Sequence, residues 1–132
     1  AVIAYDPPSR TAGMVHVAWP ESQICPERAR QLPGYFADTG VPLLLAAMRK
    51  LSGAERPRGM IVQLVGGANV ADPNNTFNIG KRNVLAIKRV LWAAGLGPLA
   101  EDVGGSISRT VGIESATGRT VVQSSCRGSW EI

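Results

Sequence analysis

Met60-Ile61-Val62-Gln63-Leu64-Val65-Gly66-Gly67 is an apolar run of strand length closed by a glycine pair, and it lies between two segments that read as amphipathic helices. Ahead of it, Val41, Leu44, Leu45, Met48 and Leu51 recur at helical spacing. Asp38-Thr39 offers an N-cap there, Pro42 falls in the first turn, and Gly53 ends the helix. Behind it, Val84, Ile87, Val90, Leu91 and Ala94 form a second stripe that begins near Gly80, with Gly95 suited to the C′ position. Each helix has one apolar face that a sheet must cover. The pattern therefore predicts an α/β protein, a layered sandwich with two main helices.

Working outward, Ala1-Val2-Ile3-Ala4-Tyr5 reads as a strand that stops at Asp6-Pro7-Pro8-Ser9. Gly13 to Trp19 reads as a second strand, with Met14, His16 and Ala18 on one face and Val15, Val17 and Trp19 on the other. The two form an antiparallel pair that brings the end of the first beside His16. The stretch from Pro20 to Gly34 is polar and proline-bearing and reads as a loop, as does Asp72-Pro73-Asn74-Asn75. Leu96 to Asp102 is a further strand ending at Gly104-Gly105. Thr110 to Glu114 and Arg119 to Gln123 flank Ser115-Ala116-Thr117-Gly118 as a hairpin. The order is β-β-α-β-α-β-β-β in a mixed or antiparallel sheet. There is no internal repeat and no linker, so residues 1–132 make one domain.

Composition narrows the class. A chain of 132 residues with 45% hydrophobic and 18% charged residues folds around a core without staples. Aromatics make up only 5%, which leaves the core to Val, Ile, Leu and Ala. The net charge is +4, yet no run of five basic residues occurs and no aromatic is interleaved with them. Nucleic acid is not the expected partner. No apolar run is long enough to span a membrane, no signal peptide is seen, and a cytoplasmic protein is expected. Cys25 and Cys126 lie far apart with no CxxC spacing. With one histidine they are too few for a zinc site, so neither metal nor cofactor is expected.

Few residues carry chemistry. Glu101 and Asp102 are strand neighbours and point to opposite faces, which does not suit joint acid–base work. No GxGxxG, GxxxxGK[ST] or GxSxG motif occurs. The turns Gly66-Gly67-Ala68-Asn69 and Gly104-Gly105-Ser106 expose backbone N–H groups. His16 is the only imidazole, and no cysteine precedes it. Cys25 approaches it only if the following loop folds back.

Several segments in order resemble the chemoreceptor glutamine deamidase (CheD) family across essentially the whole chain. They are Asp6-Pro7, Met14-Val15-His16-Val17-Ala18-Trp19-Pro20, Tyr35-Phe36-Ala37-Asp38-Thr39, Gly66-Gly67-Ala68, Ile79-Gly80-Lys81-Arg82-Asn83-Val84, Glu101-Asp102-Val103-Gly104-Gly105 with Arg109, and Thr117-Gly118. The resemblance implies hydrolytic, cysteine-dependent and cofactor-free deamidation of chemoreceptor glutamines in bacterial or archaeal chemotaxis. It gives His16 the role of general base and acid. It also implies that the nucleophilic cysteine and an orienting threonine lie in a segment upstream of Ala1, so the 132 residues alone lack the nucleophile. The alternative it implies is a non-catalytic module that binds receptors or a CheC-type phosphatase. Whether Gly66, Gly67, Arg82, Asn83, Asp102 and Arg109 touch substrate or hold turns stays open. Turn-holding is the expectation for most, including an Asp102–Arg109 ion pair. Arg82, Lys88 and Arg89 are candidates for a basic docking face.

Overall fold

The fold is seen in a computed structural model that describes residues 1–53, 59–70 and 76–132. The Asp72–Asn75 loop lies outside the described residues. Strands β1 (Val2–Asp6) and β2 (Thr11–Val15) form the expected antiparallel pair. A short helix α1 (Pro26–Gln31) and the long α2 (Ala37–Ser52) follow, then β3 (Ile61–Gly66), α3 (Ile79–Ala93) and β4 (Ala100–Val103). Strands β5 (Thr110–Ile113), β6 (Thr120–Ser124) and β7 (Gly128–Glu131) complete the chain.

The strands make two sheets. The first has the order β2-β1-β3-β4, with β1 antiparallel to both neighbours and β3 parallel to β4. The second is the antiparallel meander β5-β6-β7. All five residues of β1 are buried because the first sheet is covered on both faces. Strand alternation divides them. Val2, Ala4, Val62 and Leu64 join Val41, Leu44, Leu45, Met48, Ile87 and Leu91 in a core beneath the helices. Ile3 and Val65 meet Val122 from the second sheet, with Val111, Ile113 and Trp130 packed around them. The molecule is thus an α/β sandwich of helices, mixed sheet and meander, the class the sequence implied.

Four local expectations need correction. Pro20–Gly34 is not a plain loop: two single 3-10 turns, Ser22–Ile24 and Pro33–Tyr35, bracket α1. α1 buries nothing, so it leaves no apolar stripe to read. α2 begins at Ala37, with Phe36 as an N-cap that makes no side-chain bond, which puts Pro42 inside the helix rather than in its first turn. Asp38 instead accepts from the Ser22 N–H at 2.9 Å and the Ser22 hydroxyl at 2.7 Å, tying the 3-10 turn to the helix. Strand β7 was unforeseen. It exists because it pairs with β6, and because the Trp130 indole donates to Asp102 at 2.8 Å.

Candidate active site

The fourth correction concerns His16, which lies just past β2 rather than mid-strand. The β1–β2 register pairs Val2 with Val15 and Asp6 with Thr11. It is therefore the start of β1, not its end, that approaches His16. Beyond Val15 the chain peels away to meet the segment entering α2. The Ala18 and Trp19 N–H groups both donate to the Tyr35 carbonyl, at 2.8 and 3.0 Å, and the Ala37 N–H donates to the Trp19 carbonyl at 2.9 Å. The Asn83 amide of α3 donates to the Ala18 carbonyl at 3.0 Å from the other side. His16 is left exposed on this tethered segment.

The segment forms one wall of a hollow of about 520 Å³. His16 to Trp19 face Gly67, Ala68 and Asn69 from the turn after β3, and Phe77, Ile79, Gly80 and Asn83 from the head of α3. The head of α3 and the glycine turn meet backbone to backbone. A side chain on Gly80 would collide with the Gly67 carbonyl oxygen, and Gly67 itself has a left-handed φ of 65°. The two turns singled out in the sequence also brace each other. Asn69 N–H donates to the Gly105 carbonyl at 2.9 Å, and Gly104 N–H to the Gly66 carbonyl at 2.8 Å.

A smaller cavity of about 30 Å³ adjoins the hollow. It shares Val17, Gly67 and Asn83 with it and reaches Ala1 and Val65. The Ala1 nitrogen donates to the Val65 carbonyl at 2.6 Å, and the Val65 N–H returns a bond to the Ala1 carbonyl at 3.0 Å. Burial lowers the Ala1 amine from 8.0 to about 6, because the charged form loses water.

Of the residues weighed in the sequence, Gly67 and Asn83 line the hollow with His16. Gly66 ends β3 with a φ of 110°. Arg82 and Arg89 are exposed on α3, and Lys88 pairs with Glu101 at 2.8 Å. Asp102 and Arg109 form the expected ion pair, at 2.9 Å, on the face turned to the meander. Cys25 lies ahead of α1 and Cys126 in the β6–β7 turn. Both are exposed, and neither lines the hollow. Trp19 and Ile79, quoted in the sequence only as parts of longer segments, also line the hollow, as does Phe77, an aromatic two residues before the start of α3. A second hollow of about 440 Å³ on the β5–β6 hairpin holds Glu114 and Arg119, 3.8 Å apart, but neither imidazole nor thiol lines it.

The family described as CheD chemotactic sensory transduction matches residues 19–124. The chain belongs to the CheD family. The family match opens at Trp19, three residues past His16, but alignment with a relative reaches further. A protein of Syntrophotalea carbinolica named "Probable chemoreceptor glutamine deamidase CheD" is 52% identical over 132 residues, all of this chain and 82% of the relative. A protein of the same name from Solibacter usitatus is 45% identical over 119 residues, 90% of this chain and 69% of that protein. One from Methanococcus maripaludis is 37% identical over 124 residues, 93% of this chain and 77% of that protein. Among the described residues, no helix is long and apolar enough to cross a membrane.

Proposed function

We propose that this CheD-family protein hydrolyses glutamine side chains of chemoreceptors to glutamate, with release of ammonia. The observation that carries the reading is that His16 lines an open hollow whose inner wall adjoins the start of β1. Val2 pairs with Val15 on one side and Leu64 on the other, so on this reading the chain that precedes Ala1 runs toward the wall shared by His16 and Gly67. A cysteine supplied from that side would enter beside His16, whereas Cys25 and Cys126 do not line the hollow. The relatives' names, as deamidases of chemoreceptors, supply the substrate class.

The chemistry follows from a thiol and an imidazole. The imidazole takes the thiol proton, and the thiolate attacks the carboxamide carbon. The oxyanion forms at the N-terminal end of α3, where the helix dipole favours negative charge. As the tetrahedral adduct collapses, the imidazolium gives its proton to the departing nitrogen, the C–N bond breaks and ammonia leaves. Water then attacks the thioester while imidazole accepts its proton. The C–S bond breaks, the thiol recovers a proton, and a glutamate carboxylate remains. His16 serves as base and acid in both halves.

On this reading residues 1–132 are one deamidase domain, completed by an upstream nucleophile segment. The protein works in the cytoplasm without metal or cofactor. Chemoreceptors are its substrates and a CheC-type phosphatase is its second partner. The test is ammonia release from a receptor-helix peptide by the full-length protein. We expect turnover in the wild type and a loss of at least about a hundredfold in His16→Ala. Receptor binding with no ammonia release would replace the enzyme with an interaction module. Full turnover in His16→Ala would remove the histidine from the mechanism.

A further inference from the structure

Helix α3 has two faces. Asn83, Ile87 and Leu91 are its buried residues. The opposite side of the helix carries Leu85 and Trp92, which are 48% and 60% exposed. They stand seven residues apart, about 10 Å along the axis, and form an apolar seam in solvent. The same step of seven repeats on both flanks. Arg82 and Arg89 border the seam on one side, and Lys81 and Lys88 on the other. No acidic residue occurs anywhere in α3. Lys88 is drawn to Glu101 of β4 at 2.8 Å. Lys81, Arg82 and Arg89 are exposed and pair with no carboxylate among the described residues. None of these side chains lines the hollow, which touches α3 at Ile79, Gly80 and Asn83.

Covering an exposed leucine and an exposed indole is favourable. An apolar seam with a period of seven, bordered by charges at the same period, is how one helix presents itself to another. We infer that the outer face of α3 docks an amphipathic helix of a partner protein whose own apolar seam is bordered by carboxylates. The charges choose among the occupants. A second copy of this chain would set Lys81, Arg82 and Arg89 against their own like, which repels. A lipid surface needs no register, and a seam of two side chains gives it little to bury. A helix with Asp or Glu seven residues apart matches the flanks in both sign and spacing. The inference goes beyond deamidation. The docked helix lies on the side of α3 opposite Ile87 and leaves the hollow open, so partner and substrate are held at the same time.

The test uses the full-length protein and two fluorescent helical peptides, each about three heptads long with leucine at the a and d positions. One has glutamate at e and g, the other lysine. Anisotropy measures their binding to the wild type, to Leu85→Ala with Trp92→Ala, and to Arg82→Glu with Arg89→Glu. We expect the wild type to bind the glutamate peptide at least about tenfold more tightly than the lysine peptide. The apolar double variant is expected to weaken that binding about tenfold with an unchanged circular dichroism spectrum, since both side chains are exposed. The charge-reversed variant is expected to lose the preference. Saturation with the glutamate peptide should leave ammonia release from a receptor-helix peptide unchanged. Equal binding of the two peptides by the wild type, or glutamate-peptide binding that survives the loss of Leu85 and Trp92, overturns the inference. Competition between the glutamate peptide and ammonia release moves its site to the hollow and overturns it too. Binding through Leu85 and Trp92 to vesicles of phosphatidylglycerol and phosphatidylcholine, with none to either peptide, makes the face a lipid contact instead.

Discussion

The Ala1 amine titrates at about 6 in the fold because burial strips water from its charged form. Unfolded, it returns to the ordinary 8.0, so between these values the unfolded chain binds the proton that the folded chain sheds. For this group, stability of the 132-residue chain is highest above pH 8 and falls as pH drops through the window to 6. The two-unit difference is worth up to about 2–3 kcal/mol. Urea unfolding at either end of the window measures it. A chain extended before Ala1 has an amide in place of the amine, and the dependence is expected to vanish. His16 was readable as the one imidazole in an alternating run. Its position past the end of β2 was not, because a strand pattern does not say where its partner stops. Asn83 could not be given a role, since its meaning depends on Ala18, 65 residues away.

Among the elements, β4 shows how far periodicity reads. Alternation alone puts Glu101 and Asp102 on opposite faces, and so they are. Glu101 reaches Lys88 on α3, whereas Asp102 accepts from Arg109 and from the Trp130 indole. Arg109 also donates to the carbonyls of Gly104 and Ile107, and its side chain is only 6% exposed. Asp102→Ala strands that guanidinium and frees β7 from β4. The expected cost is about 3 kcal/mol in urea unfolding. Glu101→Ala breaks a more exposed pair and is expected to cost under about 1 kcal/mol. The two long helices and the β5–β6 hairpin were legible because each carries a local pattern, stripe or turn. α1 and β7 were not. One has no buried residue and the other is four residues held by a partner strand, the Trp130 indole and a Glu131–Arg119 ion pair.

For the whole molecule, the layered α/β class followed from two apolar stripes around one buried run. The division into a mixed sheet and a separate meander did not, because pairing between distant strands leaves no trace in either strand alone. The net charge of +4 has a place to act. Arg82 projects from the first turns of α3, between Gly80 and Asn83 of the hollow, and Arg89 lies two turns on. On the deamidase reading, encounter with a receptor helix that presents carboxylates is expected to slow as salt is raised. The double substitution Arg82→Glu with Arg89→Glu should reduce the low-salt association rate about tenfold and flatten its salt dependence. Stopped-flow mixing with a labelled receptor peptide measures both.

The meeting of Gly67 with Gly80 and of Ala18 with Asn83 fixes when the site comes into being. As the chain leaves the ribosome, β1 and β2 can pair at once, but α3 has yet to be synthesised. The histidine is therefore made well before the far wall of its hollow, which is complete only once the head of α3 has docked against the glycine turn.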